Sequence, residues 1–318
     1  MADALTSTTS LSAEVLASVD QYVRAELRHT PLLRSVADTR PVQVDRPGSS
    51  VALYINSDLA PATTPLSETT DPDAVALPNP TPVTLTPQEY GNLTISTIKV
   101  KTTAFADVDP QQMNAVAWNM RDSLDVLVRD VLSAGDNVRY AGGNTATSGV
   151  TGQDTITSAD VRYIVTKLRT NAAPGRRGEL YWCGIHPDVS HDLKAETGAG
   201  SWRDSHLYAA PGVFWPNEIG VYEGAFFVES ARMKIDTTGG ADGTDAGTGV
   251  DPVYHTIFAG KEALAEGVQI EPHTVVGNIP DKFGRFFPLG WYGFLGWTVF
   301  REKCLYRFES GSSMADNT

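Results

Sequence analysis

The segment DPQQMNAVAWNMRDSLDVLVRDVLSAG, residues 109–135, carries the strongest amphipathic pattern in the chain. Met113, Val116, Ala117, Met120, Leu124, Leu127, Val128, Val131 and Leu132 recur at three- and four-residue steps, which sets them on one face of a helix. Asp109 suits the N-cap, Pro110 the first helical position and Gly135 the terminator. From 110 to 134 such a helix runs about 37 Å at ~1.5 Å per residue. A globule of this chain length has a radius of gyration of about 20 Å, so the helix crosses most of it. The spacing therefore predicts a spine over 109–134, with Met113, Val116, Met120, Leu124, Leu127 and Val131 turned to the core.

Upstream the texture changes. Val51 to Ile55 reads as a strand, and Leu93 to Val100 alternates apolar and polar residues. Between them lie Pro61, Pro65, Pro72, Pro78, Pro80, Pro82 and Pro87 among threonines and acids. Prolines at that density exclude helix and central strand and leave extended chain. A loop so long is either a linker or functional. If its flanking strands pair, it forms a hairpin with the proline segment at the tip, which needs another surface to lie on because two strands alone are marginal. Further upstream, residues 12–28 read as a helix capped by Ser12, followed by an extended arm to Pro47.

Downstream, residues 141–155 read as loop and 158–170 as a second helix. Leu180 to Ile185 is a short strand, and a turn at His186-Pro187 leads into a short helix ending at Leu193. Ile219 to Tyr222 and Ala225 to Val228 form a hairpin about Glu223-Gly224. Residues 237–249 read as a Gly/Asp/Thr loop, Val253 to Phe258 as a strand, and the aromatic segment from Phe283 to Phe308 as strand-like. Helices and strands mixed in this order define an α+β chain.

Composition narrows the function. Lys and Arg number 25 against 38 Asp and Glu, a net charge of 25 − 38 = −13. Phosphate recognition needs clustered cations, and here Arg176-Arg177 is the nearest approach to a cluster. The apolar run between Arg285 and Arg301 is broken by Pro288, Gly290, Gly293 and Gly296, so no membrane span is expected. Met1-Ala2-Asp3 opens no secretory pattern, and Cys183 and Cys304 make no disulfide framework. A soluble protein made inside a cell is the expectation.

Catalytic patterns are weak. His186, Asp188, His191 and Asp192 have the residue types of a hydrolytic metal centre, but five-residue spacing of the histidines fits one helical face poorly. A capped turn accounts for them better. Cys183 lies within a strand, where a buried structural thiol is the commoner case. Gly239 to Asp245 resembles a calcium-binding glycine repeat only once and imperfectly, so a surface loop is expected. No phosphate loop, nucleophile elbow, HExxH or CxxC occurs. No catalytic residue, cofactor or metal is expected, and the chain is not expected to be an enzyme.

The order of the parts resembles a known family. The residues that carry the resemblance are Pro61 to Glu68, Thr86 to Gly91, Ile185 to Leu193, Asn217 to Ser230, Asp251 to Tyr254 through Gly260 to Ala263, and Gly296-Trp297 through Arg307 to Ser310. In that order they resemble the major capsid proteins of tailed bacteriophages, which share the Hong Kong 97 fold, and more narrowly the family typified by the major capsid protein of phage N-four. The resemblance implies an N-terminal arm at 1–47, an E-loop at 48–104, and a peripheral domain at 105–178 containing the spine. It also implies an axial domain at 179–290 and a return to the peripheral domain at 291–318. It implies inter-subunit contacts through Pro61, Pro65, Leu66, Glu68 and Tyr90. The implied function is assembly of hexamers and pentamers into the icosahedral head of a virion around double-stranded DNA, built in the host cytoplasm. The implied partners are portal and scaffolding proteins, with a decoration protein as a further candidate. An encapsulin-like nanocompartment shell and a metal-dependent hydrolase using His186 and His191 are the alternatives.

Overall fold

The computed structural model describes residues 28, 30–41, 50–66, 68–69, 71–103, 108–198, 200–202, 216–241, 250–278 and 283–314. The helix expected over 12–28 lies almost wholly outside them, as do residues 242–249 of the expected loop.

Two sheets and one long helix make the frame. The first sheet has the order β1 (Asp38–Pro41), β11 (Leu264–Val276), β12 (Phe286–Val299), β4 (Gln88–Thr97). β1 runs parallel to β11, and the other pairs are antiparallel. The second sheet has the order β5 (Val138–Tyr140), β13 (Leu305–Ser310), β10 (Val253–Ala259), β6 (Tyr181–Ile185), β8 (Ala225–Glu229), β7 (Glu218–Tyr222), with β9 (Ile235–Asp236) also paired to β10. A separate two-stranded ribbon joins β2 (Val51–Ile55) to β3 (Thr81–Leu85). The helices are α1 (Ile98–Thr103), α2 (Val108–Leu132), α3 (Ser158–Thr170) and α4 (Pro187–Ala195).

The second sheet holds the main core. All five residues of β6 and all seven of β10 are buried, as expected for central strands covered on both faces. Trp182, Phe226, Phe227, Phe258 and Phe308 fill its centre, against Val161, Ile164, Val165 and Leu168 of α3 and Val189 and Leu193 of α4. Thr157 caps α3 by accepting the N–H of Asp160. The β7–β8 turn at Glu223 and Gly224 has φ of 48° and 87°, the paired left-handed geometry that right-twisted hairpins favour.

The spine is real and connects the two units. α2 has 25 residues, with Asp109 in its first turn and Arg129 in its last, both complementing the helix dipole. Its C-terminal residues Val128 and Leu132 enter the main core. Earlier turns lie along β4 and β12, where Gln112 donates to the Thr94 carbonyl at 3.2 Å and Trp291 donates to Asn119 at 2.9 Å. Of the six residues expected to face the core, Met113 alone is exposed, which corrects its placement. Val116 and Leu124 are buried, Met120, Leu127 and Val131 are half-buried, and Met113 is 61% exposed.

Three further expectations are corrected. The strand read at 93–100 occupies Gln88–Thr97 and gives way to α1. Its partner is β12, and Val51–Ile55 pairs instead with Thr81–Leu85. Pro82 is tolerated there because a two-stranded ribbon has only edge strands, which can leave one N–H position unused. The sheets also cut across the boundaries drawn at 178/179 and 290/291. α3 packs with the second sheet, Leu264–Val276 belongs to the first, and Leu305–Ser310 returns to the second. Strand pairing between distant segments sets this division, and no local pattern along the chain reports it.

Candidate inter-subunit surface

The ribbon is anchored through one face. Leu53, Ile55, Val83 and Leu85 lie on one face and pack on Ala265 and Phe300, at the end of the first sheet where Leu264 pairs with Val299. The other face carries Tyr54, which is exposed. Beyond the ribbon, every described residue from 56 to 82 is exposed. Leu59, Leu66, Val75 and Leu77 are among them, with Leu66 at 78%. A row of exposed aliphatics on extended, proline-stiffened chain is the surface expected of a segment that binds another molecule.

Charge is equally one-sided. No Lys or Arg occurs between Arg46 and Lys99, whereas Asp58, Glu68, Asp71 and Asp73 all lie in the arm. Pro61, Pro65, Leu66 and Glu68 lie along this segment, all exposed. Tyr90 is not with them. It is half-buried on β4 opposite Gly293, with its ring centroid 6.5 Å from that of Trp297.

A second exposed apolar set was missed by the sequence reading. Leu93, Ile95, Ile98, Val100, Val276 and Phe283 gather toward the opposite end of the first sheet, where Thr97 pairs with Phe286 and Val276 with Leu289. Alternation from Leu93 to Thr97 marks one face of β4, but it cannot tell a covered face from an open one. The Phe283-Gly-Arg-Phe-Phe287 run was the available signal.

The histidine cluster is structural. His186 caps α4, with Nδ1 accepting the N–H of Asp188 at 3.3 Å, and burial holds its pKa below the ordinary histidine value despite the opposing charge of Asp188. The Asp188 carboxylate accepts the Tyr254 hydroxyl at 3.0 Å, and burial followed by that bond pushes the tyrosine well up. Asp192 accepts both the N–H of Ser313, at 3.0 Å, and its hydroxyl. His191 is exposed, its Nδ1 3.5 Å from Asp192. These side chains tie α4 to β10 and the C-terminal segment. Among the described residues, no three His, Cys, Asp or Glu side chains gather as a metal site. Burial pushes the Cys183 thiol up, which makes it a poor nucleophile. A groove of about 430 Å³ near α4 includes Glu218 and Glu229, but Glu218 is bonded to Arg177 at 3.0 Å and Glu229 to Lys194 at 3.1 Å.

The chain has the Hong Kong 97-type phage capsid fold, an α+β arrangement shared with capsid subunits over its whole length. The cyanophage Pam1 capsid matches with a TM-score of 0.72 at 13% identity, covering 98% of this chain and 100% of that one. The capsid of cyanophage P-SCSP1u matches with a TM-score of 0.70 at 14% identity, covering 95% of each chain. The capsid of Ralstonia phage GP4 gives 0.68 at 12% identity, covering 94% and 96%. No family model matches the sequence, and no curated protein does. Among the described residues, no helix is long and apolar enough to cross a membrane.

Proposed function

We propose that this chain is the major capsid protein of a tailed bacteriophage, akin to the phage N-four family. On this reading it assembles as hexamers and pentamers into an icosahedral head around double-stranded DNA. The observation that carries the reading is the pairing of a capsid fold over the full length with an arm, residues 56–82, whose described residues are all exposed. An apolar arm with no core of its own gains its burial from a neighbour, and a repeated subunit supplies that neighbour.

The projecting ribbon and arm are then the E-loop, with Pro61, Pro65, Leu66 and Glu68 as its contact residues. α2 with the first sheet is the peripheral domain, and the second sheet with α3 and α4 is the axial domain. The role is structural, with portal and scaffolding proteins as partners and the virion shell as location. A net charge of −13 suits a container that must not hold its DNA by counterion release.

Expression of the full chain, alone and with a candidate scaffolding protein, followed by sedimentation velocity tests this reading. Shell-sized particles are expected. A chain that stays monomeric or forms a small defined oligomer under every condition contradicts it.

A further inference from the structure

A buried histidine sits where the spine joins the second sheet. Across β10 and β13, His255 stands opposite Glu309 and Ile257 opposite Arg307, while Val253 stands opposite Asp236 on β9. Side chains alternate along a strand, so all six lie on one face of the sheet. The spine ends against that face. The Arg307 guanidinium donates to the carbonyl of Ser133, the residue that follows α2, and the Ser133 N–H donates to the Arg129 carbonyl at 2.9 Å. Arg307 thus joins β13 to the last turn of the helix.

The imidazole is only 7% exposed, and among the described residues neither Nδ1 nor Nε2 has a hydrogen-bond partner. The charged groups around it come from every element packed there: Arg307 and Glu309 from β13, Arg129 from α2, and Lys234 and Asp236 from the β9 segment. Three cations against two carboxylates already leave an excess of positive charge, and a proton on the ring adds to it. Glu309 Oε1 lies 3.9 Å from Nε2, but both oxygens of that carboxylate are taken, Oε1 by Arg307 at 2.8 Å and Oε2 by the Thr147 hydroxyl at 2.7 Å. A buried imidazolium without a counter-charge is strongly disfavoured, so the ring can hold a proton only if Glu309 turns to it or water reaches it.

We propose that His255 is an acid-operated latch between the spine and the second sheet: its protonation draws Glu309 off Arg307 and frees the end of α2 from β13. Arg307 holds Glu309 and the Ser133 carbonyl together, so a guanidinium that loses its carboxylate is no longer fixed over the helix end. Repulsion by Arg129 and Lys234 adds to the opening. In the closed form burial, then Arg307 and Lys234, lowers the histidine pKa to about 4, whereas a ring exposed by opening titrates at its ordinary value of about 6.5. The latch is therefore shut above pH ~6.5 and opens progressively as pH falls toward ~4. It works inside one subunit and stands independently of the shell reading.

Amide hydrogen exchange of the full chain, read by mass spectrometry at pH ~7 and ~4.5 and corrected for the intrinsic pH dependence of exchange, tests this. The native chain is compared with His255→Leu and with His255→Gln, the second keeping a polar side chain in case the first fails to fold. Protection of residues 128–134 is expected to fall about tenfold or more in the native chain on acidification, while that of Val161–Leu168 in α3 is kept. Both variants are expected to hold residues 128–134 equally protected at the two pH values. Native protein whose α2 end stays protected in acid overturns the latch. So does an equal loss in α3, which marks general acid unfolding, and so does a loss that persists in both variants, which assigns the effect to another group such as His186.

Discussion

His255 lies in the middle strand of the larger sheet, and its ring is almost fully buried. Burial, followed by the nearby charges of Arg307 and Lys234, lowers its pKa to about 4, with Asp236 opposing. Glu309 lies 3.9 Å away, but its carboxylate is taken up by Arg307 at 2.8 Å. The unfolded chain carries this histidine at its ordinary value of about 6.5, so it takes up a proton first as pH falls. The contribution to stability is therefore whole above pH ~6.5 and is lost as pH falls toward ~4, up to about 3 kcal/mol. Denaturation profiles across that window should flatten in His255→Leu relative to the native chain; parallel profiles would contradict the assignment. Glu266 is a buried carboxylate, accepting from Arg34 at 2.7 Å, Trp297 at 3.1 Å and Thr39 at 3.2 Å. It ties the N-terminal segment to β11 and β12. Glu266→Ala should cost about 2 kcal/mol, below the full penalty for breaking a buried pair because Arg34 is partly solvated. A lowered urea midpoint at unchanged slope is the expected readout.

At the scale of elements, α2 is the member that both units share, and its integrity should be indispensable. Leu124→Pro removes a backbone donor in mid-helix and should cost ~3 kcal/mol or more. Soluble mutant protein that melts cooperatively near the native temperature would contradict the spine assignment. This helix was legible through its 3.6-residue period, although it begins at Val108 and ends at Leu132, so Asp109 sits in its first turn and is not its cap. The period also marks α3, and turn chemistry marks the hairpin at Glu223-Gly224. β11 was not legible. Its pairing with β12 shifts register between Val268 and Ile270 and again between Ile270 and His273, and Pro272 interrupts it, so no period-two pattern survives. The partner of β2 was misread for a related reason. Prolines at 78, 80 and 82 mask a strand that only an isolated ribbon accommodates. Met113 shows the same limit on a helix, since periodicity identifies a face without showing whether anything covers it.

For the molecule as a whole, the arm is dispensable for folding and necessary for assembly. The deletion should spare β3, because Leu85 is buried against Ala265 and Phe300. Removing residues 58–79 and joining the ribbon by a short Gly/Ser turn should leave the melting temperature within a few degrees, since every described residue of the excised segment is exposed. It should also abolish shells. The central claim is that this chain tiles a closed shell through an arm laid on a neighbour, and an image reconstruction of the particles formed by the full chain tests it most directly. The expected result is this fold repeated in clusters of five and six, with residues 56–80 lying across an adjacent copy. Particles whose subunits keep that segment on their own surface, or a preparation without closed particles, would contradict the account.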